Sequence, residues 1–219
     1  MEESICRYPD CNRYASKRLL CGQHYQPLRT YPAESYTPEE MRALLAACGD
    51  TLYGKRHKAL IITLWRTGLR LSEALDLMPH NIDFDTMTIR VMHGKGNKAR
   101  TVGFDGKTGH ELRVWLTARR RWLGDNGLDY PVFCTQNGGR MRTNHIRQIL
   151  PVIAKRAGVR KRVHAHGFRH TFAVELSREG VPVYDIQRLL GHTSLATTEL
   201  YLRSLSPEEA LSAVRGREW

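Results

Sequence analysis

The residues best suited to chemistry in this 219-residue chain cluster between His164 and Tyr201. His166 and Arg169 stand three apart in HAHGFRHTFA, His192 follows a glycine in LLGHTS, and Tyr201 comes nine residues later in TTELYL. A guanidinium donates forked hydrogen bonds to phosphoryl oxygens. An imidazole takes or gives a proton near neutral pH, and a deprotonated phenol is a nucleophile. Gathered in one segment, these groups suit holding a phosphodiester and attacking it with a tyrosine.

Two upstream stretches carry further candidates. In TGLRLSEALDL, Arg70 and Glu73 lie three apart, a spacing that predicts a shared helix face, with Leu69, Leu71, Ala74, Leu75 and Leu77 around them. An arginine in such an apolar frame must be paired or bound to an anion. An ordinary Arg–Glu helix pair meets that need as well as a phosphate site does. In HGKGNKAR, Lys95 sits between Gly94 and Gly96, with Lys98 and Arg100 behind. A lysine flanked by glycines can reach into a phosphate-bearing groove and protonate a departing alkoxide, and an exposed turn lysine has the same local sequence. Spacing alone does not choose between Lys95 and Lys98.

The elements that must position these groups are mostly helical. Thr37-Pro38-Glu39-Glu40 is a helix start with a capping box, followed by Met41, Leu44, Leu45 and Cys48 at helical spacing. A second helix is expected from about Tyr53 to Thr67, broken by Gly68. From Asn81 to Phe104 the period changes: Ile82 and Phe84, then Met87, Ile89 and Val91, alternate with polar residues, and Thr101–Phe104 returns, which predicts a β-hairpin with Lys95 at its tip. Helices are expected from Lys107 to about Asp125 and from Thr143 to about Ala157, with a short buried strand at Pro131–Cys134 between them. Arg119, Arg120 and Arg121 read as a solvated or phosphate-contacting basic run. Cys48 and Cys134 read as core residues. The fold class is therefore α+β, mainly α with a small antiparallel sheet.

The first thirty residues have a different character. Cys6 and Cys11 flank a turn, and Cys21 and His24 form a C-x-x-H knuckle, in a segment too poor in apolar residues to fold on its own core. Three thiolates and an imidazole match the ligands of a closed tetrahedral zinc site, whose binding would supply the folding energy. One structural Zn²⁺ is expected on Cys6, Cys11, Cys21 and His24. The domain reading is 1–30 zinc-binding module, 31–35 linker and 36–219 main domain, with 206–219 as a tail helix. Arg7, Arg13, Lys17 and Arg18 stud the module, where DNA contact and a solvated face are equally open readings. The formal net charge is +12, which favours a polyanionic partner, nucleic acid ahead of membrane surface. The acidic start Met1-Glu2-Glu3 has no apolar run behind it, so no signal peptide is expected. No stretch is long enough to span a bilayer, and a cytoplasmic protein is expected.

From about Tyr36 to Leu205 the sequence resembles the tyrosine recombinase, or phage integrase, family. TGLRLSEAL is similar to the segment carrying that family's first catalytic arginine, here Arg70 with Glu73 in support. HGKGNKAR is similar to its lysine hairpin, here Lys95. HAHGFRHTFA is similar to its H-x-x-R box, here His166 and Arg169, with His170 in a packing and hydrogen-bonding role. LLGHTS and TTELYL supply His192 and the nucleophile Tyr201. The resemblance implies a site-specific DNA recombinase or integrase of mobile DNA that breaks and rejoins strands through a 3′-phosphotyrosyl link, with neither ATP nor a catalytic metal. Arg70 and Arg169 would hold the scissile phosphate, each worth roughly 3–4 kcal/mol of barrier by analogy with oxyanion donors. Lys95 would protonate the departing 5′ oxygen. His166 is the implied base for a phenol whose ordinary pKa is about 10, and His192 would hold a phosphate oxygen or the phenol. The implied partners are double-stranded DNA and other copies of the chain, as a tetramer on paired sites. The tail helix would dock on a neighbouring protomer or fold back on its own domain. A topoisomerase IB-like relaxing enzyme and a non-catalytic zinc-containing DNA-binding protein are the alternative readings. With about thirty-five residues before the main domain, read as a zinc module and linker, the helical clamp domain that family members usually carry is not expected in this sequence.

Overall fold

A computed structural model describes residues 35–92 and 99–191. The proposed zinc ligands Cys6, Cys11, Cys21 and His24, the hairpin tip with Lys95, and His192, Tyr201 and the tail all lie outside the described residues.

Helix α1 (Pro38–Ala46) begins as its sequence predicts: Glu40 N donates to Thr37 Oγ1 at 3.2 Å, and Thr37 N donates to Glu40 Oε2 at 2.8 Å. It buries Met41, Leu44 and Leu45, the i, i+3, i+4 stripe of an amphipathic helix. Helix α2 (Leu52–Thr67) is the axis of the fold. Ala59 through Trp65 are all buried, because α2 is covered by α4 on one side and α7 on another. A helix apolar all round belongs in an interior. Thr51 caps its start, and Gly68 ends it in the left-handed region at φ 61°. A short α3 (Leu71–Leu75) follows, then a 3-10 turn at Pro79–Asn81.

The predicted hairpin is a three-stranded antiparallel sheet of order β1-β2-β3: Ile82–Asp83, Thr88–Val91 and Arg100–Gly103. Ile89 faces Val102, and Val91 faces Arg100. Phe84 and Met87 are turn residues instead of strand residues. Asp83 Oδ1 accepts from the backbone N–H groups of Asp85 and Thr86 at 2.8 and 2.9 Å, and this Asx turn wins over the apolar alternation. Met87 takes φ 53° as the chain reverses.

The helix expected from Lys107 to about Asp125 is present as α4 (Gly106–Ala118) and a one-turn α5 (Arg120–Leu123), interrupted only at Arg119, with a 3-10 segment (Gly124–Asp129) after it. Arg119 is buried to 2 % exposure, and its guanidinium donates to the carbonyls of Gly127, Pro131 and Val132. Arg120 and Arg121 stay exposed, so only part of the basic run is solvated. Val132, Phe133 and Cys134 are fully buried as expected, but they form no strand. Their backbone groups are answered by other partners: Trp115 Nε1 donates to Val132 O at 2.8 Å, Arg56 Nη1 donates to Cys134 O at 2.8 Å, and Val132 N donates to Leu77 O. A single bridge, Cys134 with Arg140, replaces a ladder. Cys48 and Cys134 are both buried thiols, as read.

Helices α6 (Thr143–Arg156), α7 (Ala165–Arg178) and α8 (Val183–Leu190) complete the described chain. α7 packs on α2, and α8 packs on α7 and on β3. A second small core of Ala173, Ile186 and Leu190 joins α7 to α8. Among the described residues, no helix is long and apolar enough to cross a membrane.

Candidate active site

Three chain segments converge where α8 ends. Gly68 breaks α2 and lets the backbone turn, so Arg70 becomes the residue just before α3 instead of a member of its face. Glu73 reaches back to it twice, accepting from Arg70 N and from Arg70 Nη1, both at 2.8 Å. From α7, Arg169 is buried to 2 % exposure. Its Nη1 donates to Gly68 O at 2.5 Å and its Nη2 to Leu190 O at 2.6 Å. Arg70 Nη2 donates to the next carbonyl, Gly191 O, at 3.0 Å. The two arginines named from sequence thus share the last carbonyls of α8, the partially negative end of a helix, one residue before His192.

A third guanidinium joins them. Arg100, at the start of β3, grips Glu73 in a bidentate pair at 2.9 and 2.7 Å and donates from Nε to Leu189 O at 3.1 Å. The Glu73 side chain is 3 % exposed. Burial pushes its carboxyl up, but the hydrogen bonds and charge of Arg100, with those from Arg70, carry it down to about 2. Three guanidiniums and one carboxylate leave a net +2 at this junction.

His166 begins the second arm of the site. Tyr36 sets the chain entering α7: its hydroxyl donates to Arg162 O and accepts from His164 N, each at 3.1 Å. Tyr36 N also donates to Thr171 Oγ1 at 2.9 Å. Gly167 in the H-x-x-R box is a packing requirement here, since a Cβ at that position would lie 2.2 Å from the Tyr36 hydroxyl. Burial, opposed by the His164 hydrogen bond, raises the Tyr36 phenol to about 12. That phenol stays protonated and structural. His166 is exposed. Desolvation by the surrounding protein, then the nearby Arg169, His164, His170 and Arg70, lower its pKa to about 4. It is neutral at pH 7 and able to accept a proton. His170 is 1 % exposed, and burial, with His164 next, lowers it to about 4 as well, which agrees with the packing part of the role expected for it.

Arg70, His166 and Arg169 line one end of a cleft of about 840 Å³ between α3, α6 and the start of α7. Its apolar side is Leu69, Leu71, Leu150 and Ala154, while Arg147, Lys155, Lys161 and Arg162 supply positive charge. The positive charge of such a mouth favours an anion, beside two guanidiniums whose terminal nitrogens each already make one bond to Glu73 or to a backbone carbonyl, and a neutral imidazole. Among the described residues, no group of His, Cys, Asp and Glu could hold a metal ion. The residues that sequence reasoning missed are Arg100, Tyr36 and Gly191. Each acts on a partner far along the chain, and HGKGNKAR offered no sign that its last residue, and not only its lysines, belongs to the site.

Known proteins place this geometry. The phage integrase family matches residues 34–207, a range that holds Arg70, Lys95, His166, Arg169, His192 and Tyr201. Tyrosine recombinase XerC of Anoxybacillus flavithermus is 35% identical over 167 residues, 75% of this chain and 55% of that protein. The crystal structure of XerA recombinase aligns with TM-score 0.74 and 28% identity, covering 86% of this chain and 67% of that one. XerH site-specific recombinase, bound to palindromic difH substrate after cleavage, aligns with TM-score 0.70 and 26% identity over 84% of this chain and 52% of that one. The chain spans between half and three-fifths of the length of the curated relatives it matches. By the extent of that match and the agreement of fold, this chain belongs to the phage integrase family.

Proposed function

We propose that the chain is a tyrosine-type site-specific DNA recombinase or integrase. The observation that carries the reading is the meeting of Arg70 and Arg169 on the adjacent carbonyls Gly191 O and Leu190 O, beside His166 and at the mouth of a basic cleft. A phosphodiester bound there carries one negative charge, and its pentacoordinate transition state carries two, which matches the net +2 of the junction. Preorganised donors aimed at developing charge lower the barrier without reorganising. Tyr201 attacks phosphorus, its proton passing to neutral His166. The P–O bond to the 5′ oxygen breaks as the bond to the phenolic oxygen forms, and Lys95 gives the departing oxygen its proton. His192 steadies a phosphate oxygen. A second 5′-hydroxyl reverses the step, so the phosphodiester energy is kept in the phosphotyrosine.

Residues 36–219 act as the catalytic domain in this reading. Residues 1–30 form a structural zinc module, with 31–35 as linker. The ligands Cys6, Cys11, Cys21 and His24 fit Zn²⁺ by donor type, and that ion supplies folding energy, not chemistry. Double-stranded DNA is the substrate, supported by the charge of +12 and by the substrate complex of XerH. Copies of the chain assemble as a tetramer on paired sites, and the protein works on DNA in the cytoplasm.

The test is covalent trapping. Wild type incubated with a library of nicked duplexes should form a protein–DNA adduct that resists denaturant, and Tyr201→Phe should form none. An adduct that persists in Tyr201→Phe, or no adduct from wild type on any sequence, would overturn the reading.

A further inference from the structure

We infer that Arg100 is a positioning residue for the phosphate-binding arginines, and that it acts by supplying the counter-charge that frees Arg70 from neutralisation by Glu73. The inference rests on the recombinase reading for its consequence in catalysis, but its structural content stands apart from it.

Glu73 orients Arg70 by taking two of its N–H donors. That help has a cost. A single buried Arg–Glu pair is neutral, and a neutral pair attracts a phosphate weakly. Arg100 resolves the conflict by engaging both Glu73 oxygens with its two terminal nitrogens. The carboxylate keeps its grip on Arg70, while its charge is answered from the side away from the cleft: Arg70 lines the cleft and Arg100 does not. Without Arg100 the junction drops from +2 to +1.

Geometry adds a second task. Arg100 Nε, Arg169 Nη2 and Arg70 Nη2 take the three consecutive carbonyls of Leu189, Leu190 and Gly191. The end of α8 is therefore held by one donor from each of three segments, and Arg100 is the contribution of the sheet. Gly191 lies directly on that guanidinium. A Cβ there would sit 3.2 Å from Arg100 Cδ and 3.3 Å from its Nε and Nη1, and φ is 64°. The glycine before His192 thus serves both the left-handed turn and the close approach of Arg100.

The experiment compares Arg100→Met, which loses charge and fork, with Arg100→Lys, which keeps the charge alone. Arginine side-chain N–H resonances are recorded in the full chain at pH 7, beside melting curves that confirm folding. The Arg70 Nη–H signals, from the nitrogens that donate to Glu73 and Gly191 O, should shift and lose protection from exchange in Arg100→Met. An unchanged Arg70 signal in a folded variant overturns the inference whether or not the protein cleaves DNA. The second arm uses a duplex recovered by trapping with wild type, made with either a normal scissile phosphodiester or a methylphosphonate. The methylphosphonate lacks one negative charge and so needs the guanidinium pair less. Arg100→Met should cleave the diester about 10–100-fold more slowly than wild type, the range for losing an outer support, and this gap should shrink to a few-fold on the methylphosphonate. Arg100→Lys should fall between. Equal losses on both substrates would make Arg100 a merely structural residue and overturn the inference. Failure of wild type to give any adduct would defeat the recombinase reading alone, and the resonance arm would still decide this one.

Discussion

Arg56 and Arg119 are as deeply buried as Arg169, and all three donate to backbone carbonyls, yet of the three only Arg169 lines the cleft shared with Arg70 and His166. Arg56 and Arg119 serve the irregular segment from Gly127 to Cys134. Arg56 is also stacked between the rings of Tyr53 and Trp122, at 5.2 and 5.4 Å. Neither meets a carboxylate among the described residues, and burial lowers the pKa of both. They act as staples, replacing the hydrogen bonds a strand would have made. Arg169 instead works with Arg70, Arg100 and Glu73, so that charge is both concentrated and partly answered, and an open cleft lies in front. A buried guanidinium by itself therefore says little about function. What marks the site is that donors from three segments converge on one helix end while a carboxylate orients one of them.

The largest expected effect separates the two groups of arginines. Arg70→Ala and Arg169→Ala should each slow adduct formation by about 10²–10³-fold, the loss for an oxyanion donor. Arg56→Ala and Arg119→Ala strand carbonyls in the interior and should lower stability by about 1–3 kcal/mol. At a temperature where they are folded, their trapping rate should match wild type. If Arg56→Ala cleaves a hundred-fold more slowly while folded, the division between staples and site collapses.

The same contrast explains what could be read from sequence. Helices α1 and α2 are legible because their signals are local: a capping box at Thr37, an apolar run, and a terminating Gly68. His166 and Arg169 read as phosphate chemistry from residue type and spacing, while Arg70 is assigned only through the family resemblance, because an ordinary Arg–Glu pair has the same local sequence. The segment at 131–134 is misread because a buried apolar run looks like a strand, while its carbonyl partners are side chains from outside the segment, Arg56 of α2, 78 residues from Cys134, and Trp115 and Arg119 at the end of α4, 17 and 13 residues from Val132. Arg119 is misread because Arg-Arg-Arg looks uniformly solvated, although one of the three turns inward. Arg100 is missed for the same reason in reverse. Its acceptors, Glu73 and Leu189, lie 27 and 89 residues away, and no local pattern carries that information.

A smaller effect is expected from two glycines, one in each region. In Gly167→Ala the new methyl meets the Tyr36 hydroxyl at 2.2 Å, and in Gly138→Ala it meets the Tyr130 ring at 2.4 Å, with the added strain of φ 79°. Each should cost about 1–3 kcal/mol in urea denaturation, the range for overpacking. Only Gly167→Ala should also slow trapping in folded protein, because it displaces the turn that carries His166. Equal trapping by both variants would mean that His166 tolerates displacement and that the start of α7 is less constrained than the Tyr36 contacts imply.

The last effect, confined to acid pH and absent near neutrality, is a dependence of stability on pH that belongs to both regions. Burial lowers His57, beside Arg56, and His170, beside the site, to about 4, with Arg56 and His145 adding to the first and His164 to the second. Unfolded, each titrates near 6.5. Between pH 6.5 and 4 the unfolded chain therefore binds more protons than the folded one, so stability must fall as pH falls through that window. The slope is about 1.4 kcal/mol per pH unit for each histidine fully protonated only when unfolded. His57→Gln and His170→Gln should each flatten this limb by about one proton, one from the staple region and one from the site. Glu73 acts lower down. Its folded pKa of about 2 lies below the unfolded carboxylate value near 4.5, so its contribution is present above pH 4.5 and is lost as pH falls toward 2. Glu73→Gln should leave the limb between pH 6.5 and 5 intact and remove part of the loss below 4.5. Urea denaturation at half-unit steps from pH 7.5 to 3 resolves the two limbs. An unaltered upper limb in both histidine variants would mean that these rings already hold their protons in the fold, and a neutral His170 would then have to be abandoned along with the low-pKa environment inferred for His166 one turn away.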